Sequence, residues 1–162
     1  MLVIPRVLCF LFSGEDVLLL HHAPDRKDWP GRYNGIGGHV ELGEDARSAA
    51  LREIAEEAGV PIADLRLRGV IHVVPSETEP GVILFVFTAQ ALARDVRASE
   101  EGTPVWVPLR ALSTVDAVED VPVILERVLA MGPDAPPFFG VSTRGEEGRV
   151  CLSIPGDSGN NP

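Results

Sequence analysis

Glu53, Glu56 and Glu57 are the residues of this chain best suited by type and spacing to chemistry. At about 100° per residue, positions i, i+3 and i+4 share one side of a helix, so these three carboxylates crowd together. Each like-charged pair at that spacing destabilises a helix by about 0.2–0.5 kcal/mol. Glu56 and Glu57 also fall in the last turn of a helical pattern running from about Asp45 to Ala58. There the helix dipole disfavours anions by about 0.3–1 kcal/mol. Arrangements that break local rules concentrate at functional sites. The residues alone support two readings. One is a solvated acidic face partly relieved by Arg52; the other is a set of hard oxygen ligands for Mg²⁺ or Mn²⁺, which bind carboxylates and substrate phosphates together.

Several elements must position these groups. The helix places Leu51, Ile54, Ala55 and Ala58 on one expected apolar side, and Gly59 is suited to its C-terminal left-handed residue. A Gly-rich stretch, 31–38, precedes it. Val7 to Phe12 and Val17 to Leu20 read as strands joined by the Ser13-Gly14-Glu15-Asp16 turn. Gly69 to Val74, Val82 to Ala91 and Val105 to Val107 read as further strands. Val121 to Met131 forms a second helical pattern, with Pro122 near its first turn and Gly132 beyond its end. Phe138 to Thr143 and Arg149 to Ile154 suit a hairpin around 145–148. Strands and helices interleaved in this way predict an α/β fold with a mixed sheet, one domain over 1–154 and a frayed tail over 155–162.

Composition narrows the partners. The 162 residues carry 24 Asp+Glu against 14 Lys+Arg, a formal net charge of −10. Long nucleic acids need clustered cations and are disfavoured as partners. No run approaches the ~18 apolar residues of a membrane helix. Met1 to Phe12 is interrupted by Pro5 and Arg6 and does not read as a signal peptide. Cys9 and Cys151 lie in apolar runs, which suits two buried thiols in a cytoplasmic protein and leaves one disulfide open. From Glu41 to Glu57 six acids stand against two arginines, so this segment holds four of the ten net negative charges.

Reading on from Gly38, the chain gives five residues, Glu44, seven residues, then Arg52-Glu53-Ile54-Ala55-Glu56-Glu57-Ala58-Gly59-Val60. This resembles the Nudix hydrolase signature at every defined position across 38–60. The resemblance implies a Nudix-type α/β/α sandwich whose loop–helix–loop binds divalent metal, and hydrolysis of a nucleoside diphosphate linked to a further group. It implies metal ligation by Glu53, Glu56 and Glu57, a carbonyl near Gly37 and Gly38 completing the shell, and Arg52 orienting Glu53. Glu44 would lie at the helix start, where exposed N–H groups stabilise a carboxylate.

The resemblance extends toward MutT-type enzymes that cleanse oxidised purine nucleoside triphosphates. Arg32-Tyr33-Asn34-Gly35-Ile36-Gly37-Gly38 looks like their approach to the signature, with Asn34 at the position of a base-binding Asn. A carboxamide offers a donor and an acceptor to a purine edge; Asn34 equally suits a turn before Gly35. Glu100-Glu101-Gly102-Thr103-Pro104-Val105-Trp106 resembles an acidic loop before a Trp-bearing strand, with Glu101 as extra metal ligand or general base. Asp120 matches one member of a paired acidic base reader and Glu119 is a conservative replacement of the other, but Ala117 replaces the stacking aromatic. Phe138-Phe139-Gly140 resembles the last strand of the group.

The implied reaction is Mg²⁺-dependent cleavage of nucleoside triphosphates, such as 8-oxo-dGTP, to monophosphate and pyrophosphate, by a monomer or homodimer. Glu53, Glu57 and Glu101 are the alternative bases. A second reading is hydrolysis of ADP-ribose or another nucleoside diphosphate derivative, suggested by the position of Pro75 beyond Val60. A third is a nucleotide-sensing module without catalysis, against which the intact glutamates argue. Trp29 and Tyr33 are the aromatic candidates for a nucleotide pocket, and Phe85 and Phe87 suit core packing. Arg26, Lys27 and Arg32 meet phosphate or solvate a loop. His21, His22, His39 and His72 lack zinc-ligand spacing and suit surface or pocket-rim positions.

Overall fold

The computed structural model describes residues 1–74, 79–145 and 149–155. Within them, β1 (Val3–Ser13) turns back into β2 (Asp16–His22), with Gly14 at φ 58° in the connecting loop. The short strands β3 (Tyr33–Asn34) and β4 (Ile36–His39) lead into α1 (Ala46–Glu57). Then come β5 (Ile62–Val73), β6 (Gly81–Ala91) and β7 (Gly102–Pro108). A 3₁₀ turn at Leu109–Thr114, α2 (Asp120–Leu129), β8 (Phe138–Arg144) and β9 (Val150–Ser153) follow. The strands order as β3-β2-β1-β6-β5-β8-β9, with β4 also paired to β1 and β7 to β2. The β1–β6 and β5–β8 pairs are parallel and the others antiparallel, so the sheet is mixed.

Period-two alternation explains the layers. Val7, Cys9 and Leu11 of β1 join Leu18 and Leu20 of β2 in a core with Ala49, Ala50 and Ile54 of α1. Leu8, Phe10 and Phe12, with Val17 and Leu19, face the other way, into a core with Val121, Ile124, Leu125 and Val128 of α2. Two strands buried on both faces thus divide the molecule into an α/β/α sandwich. Phe87 packs on the α1 side with Phe85 against it.

Three expectations need correction. In α1 the buried positions are Ala49, Ala50, Glu53, Ile54 and Glu57, whereas Leu51 is 37% exposed and Ala55 is exposed. Ala50, Glu53, Ile54, Glu57 and Ala58 stand at i, i+3, i+4, i+7 and i+8, a complete inward face in which two positions are carboxylates. Apolar counting therefore misplaces the face. The strand expected from Gly69 begins at Ile62, because register shifts at 63–66 and 67–69 break its alternation. Cys151 is exposed on β9 rather than buried, and both it and buried Cys9 are free thiols. Pro75, the 146–148 part of the last turn and tail residues 156–162 lie outside the described residues. Among the described residues, no helix is long and apolar enough to cross a membrane.

Candidate active site

Beside α1 runs β4, whose Gly37 and Gly38 pair with Leu8 and Val7 of β1. Side chains are excluded there. A Cβ on Gly38 would stand 2.2 Å from Glu53 Oε1, and one on Gly37 would stand 2.1 Å from the Val7 carbonyl oxygen. Glycine thus lets the backbone approach the helix's carboxylates directly. The Gly37 amide donates to Glu57 Oε2 at 3.2 Å.

Arg52 organises the neighbouring acids. Its Nε and Nη2 donate to the two oxygens of Glu44 at 2.9 and 3.0 Å, a bidentate pair. Its Nη1 donates to Glu53 Oε1 at 2.9 Å and Glu56 Oε2 at 3.3 Å, and Nη2 also reaches the His39 carbonyl at 3.0 Å. The Arg52 hydrogen bonds hold the Glu44 carboxyl below the usual range. The helix start itself belongs to Asp45, whose carboxylate accepts from the Ser48 amide at 2.9 Å. Glu44 therefore braces Arg52 instead of capping the helix.

Burial dominates the electrostatics. Glu57 is 5% exposed; its carboxyl is pushed up to about 8 by burial first and then by the charge of Glu53, with the Gly37 amide opposing. Burial raises Glu53 as well, and Arg52 opposes it. Beneath them burial, reinforced by both carboxylates, keeps the Cys9 thiol protonated. Two acids forced together in a poorly solvated place call for a cation.

These residues line a cleft of about 610 Å³. Glu53, Glu56, Glu57, Gly37, Gly38, Arg52 and Glu101 all line it, as does Arg26, which pairs with Glu101 at 2.7 Å. Among the described residues no three His, Cys, Asp or Glu side chains are grouped so as to hold a metal ion as they stand. Arg52 engages oxygens of Glu53 and Glu56, and Arg26 an oxygen of Glu101, that a cation would share. Asn34 and Asp120 also line the cleft. Asn34 Oδ1 accepts from the Gly35 amide at 2.8 Å, which leaves its Nδ2 group to donate. Burial raises the Asp120 carboxyl.

Tyr33 and Glu119 are not among the lining residues. Tyr33 stacks on His21, with centroids 4.3 Å apart and planes 4° from parallel, and packs against the α2-side core. Glu119 accepts from Arg32 at 2.9 Å, and Arg32 also faces Asp116, so this arginine is spent within the loop. Arg6, His22 and Arg144 also line the cleft; no motif in the sequence points to Arg6 or Arg144 there, and His22 suits only a surface or pocket-rim position. Arg6, a cation two residues before Leu8 on the same face of β1, was the available signal.

The NUDIX domain model matches residues 3–128. The chain belongs to the Nudix family. It is similar to the uncharacterized Nudix hydrolase YvcI of Bacillus subtilis, 32% identical over 102 residues that cover 60% of this chain and 61% of the relative. It is 31% identical over 90 residues to the oxidized purine nucleoside triphosphate hydrolase of Mus musculus, covering 56% of this chain and 58% of that protein. The chain thus spans less than two thirds of either relative's length. A mutator MutT protein from Bacillus halodurans shares the Nudix fold at a TM-score of 0.77 and 20% identity, over 94% of this chain and 97% of that one.

Proposed function

We propose that this Nudix chain is a Mg²⁺-dependent pyrophosphohydrolase that converts purine nucleoside triphosphates, oxidised dNTPs among them, to monophosphate and pyrophosphate. The carrying observation is the convergence of buried Glu53 and Glu57 on the Gly37–Gly38 backbone in a cleft large enough for a nucleotide. The donor set fits a hard divalent cation: carboxylate oxygens of Glu53, Glu56, Glu57 and Glu101, with backbone carbonyls at the glycines. When bound, the metal supplies Lewis-acid stabilisation of phosphate oxygens and lowers the pKa of water.

The chain's own residues do the rest. Arg52 holds Glu53 in position, and the Gly37 amide holds Glu57. Water attacks a phosphorus; a new P–O bond forms from the water oxygen as one P–O bond of the anhydride bridge breaks. The bridging oxygen leaves with that electron pair on the departing phosphate, and a carboxylate of Glu53, Glu57 or Glu101 takes the water's proton. Asn34 Nδ2 donates to an acceptor on the purine and Asp120 meets its opposite edge. The name of the mouse relative supports the substrate class.

A panel of 8-oxo-dGTP, ordinary dNTPs, ADP-ribose, dinucleoside polyphosphates and nucleotide sugars, assayed with Mg²⁺ and with products identified, tests this reading. Triphosphates should be cleaved fastest, yielding pyrophosphate. Preference for ADP-ribose, with AMP as product, would overturn it in favour of a diphosphate-derivative hydrolase. Asn34→Ala should lower the preference for oxidised over normal purine triphosphates; equal loss on both removes its discriminating role.

A further inference from the structure

One wall of the cleft is not used by the acidic site. Trp29 is the one Phe, Tyr or Trp among its described lining residues. Its backbone lies at φ 47°, in the left-handed region that a bulky residue adopts only when its surroundings hold it. Here the hold is local: the Arg32 amide donates to the Trp29 carbonyl at 3.0 Å, and the Gly31 amide to the His22 carbonyl at 3.2 Å. The segment 116–120, which borders the cleft through Val118 and Asp120, supplies no aromatic ring.

Arg6 covers the indole, its guanidinium carbon 5.6 Å from the ring centroid. Arg6 also lines the cleft, and among the described residues it has no ion-pair partner. A guanidinium is a flat, delocalised cation, and the aromatic face it occupies is of the kind on which a nucleobase stacks. An arginine without a carboxylate to anchor it gives up such a place readily.

We propose that Trp29 is the stacking platform for the substrate's purine base, with Arg6 yielding its place on the indole as the base arrives. This rests on the nucleotide reading of the cleft and adds the residue that grips the base by its face.

Trp29 and Trp106 are the two tryptophans of the chain. Trp106 lies outside the cleft lining and donates from Nε1 to the Arg94 carbonyl at 3.0 Å. In a W106F chain, Trp29 reports alone. Titration with dGMP should quench its fluorescence saturably, whereas deoxyribose 5-phosphate, which lacks the base, should not. W29A and W29L should raise KM for the best triphosphate about tenfold or more, with kcat within about threefold, and W29F should restore KM to within about threefold. The proposal is overturned by a W106F chain that hydrolyses nucleotides yet is not quenched by dGMP, or by W29L matching W29F. If W29A does not fold, the quench and the W29L–W29F comparison decide. Absence of hydrolysis of every nucleotide by the unmodified chain would instead refute the functional reading beneath it.

Discussion

Arg52 and Glu57 carry opposite burdens at the residue scale. Arg52 gathers Glu44, Glu53 and Glu56 through one planar fork. A lysine carries the charge but cannot reproduce that fork, so R52K should lower activity about tenfold to a hundredfold, in line with the loss of other groups that orient metal ligands. Steady-state rates at saturating Mg²⁺ check this. Glu57, raised to about 8, binds its proton more tightly folded than unfolded. With metal chelated, the folded chain therefore holds more protons than the unfolded one between an ordinary glutamate value and about 8. Stability should be greatest on the acid side and fall as pH rises through that window. E57Q should flatten the decline and melt higher than the unmodified chain at pH 8 while losing activity; thermal melts from pH 5 to 8 in chelator measure it. The glutamate spacing and Arg52 were legible in the sequence because spacing alone fixes them. Tyr33 was not legible: its ring stacks on His21, a partner brought alongside only by the β2–β3 pairing.

At the scale of elements, α1 and β4 make the site by being pressed together. Gly38→Ala would drive a methyl group into the Glu53 carboxylate. It should weaken apparent Mg²⁺ affinity in the kinetic assay about tenfold or more, with less effect on the metal-free melting curve. Asp45→Ala removes the cap of α1 and should cost about 0.5–2 kcal/mol in denaturant unfolding. The strands around the turn at Gly14 and the second helix were readable because continuous β-prone apolar runs joined by a Gly-bearing turn mark the strands, and Pro122 and Gly132 mark the helix. The inward face of α1 was obscured because Glu53 and Glu57 occupy positions that a pattern search expects to be apolar. The functional demand that made the motif recognisable is what hid the packing. In β5, bulges removed the periodicity that would have revealed its first half.

Over the whole molecule, the proposed function requires a chain of net charge −10 to take a polyanionic substrate. On that proposal a divalent cation would resolve the conflict locally, and the acidic balance elsewhere would still disfavour long nucleic acid. Mg²⁺ that binds only the folded form should also stabilise the entire sandwich, by about 2.7 kcal/mol at a concentration a hundredfold above its dissociation constant. Thermal shift against Mg²⁺ reads this directly, and the shift should vanish in a chain carrying both E53Q and E57Q. The central claim is that these two buried carboxylates hold the metal for phosphoanhydride hydrolysis. Its most direct test is the rate of Mg²⁺-dependent pyrophosphate release from the best triphosphate of the panel, compared among the unmodified chain, E53Q and E57Q, each verified as folded. A loss of about a hundredfold or more in each variant is expected; rates equal to that of the unmodified chain would contradict the account.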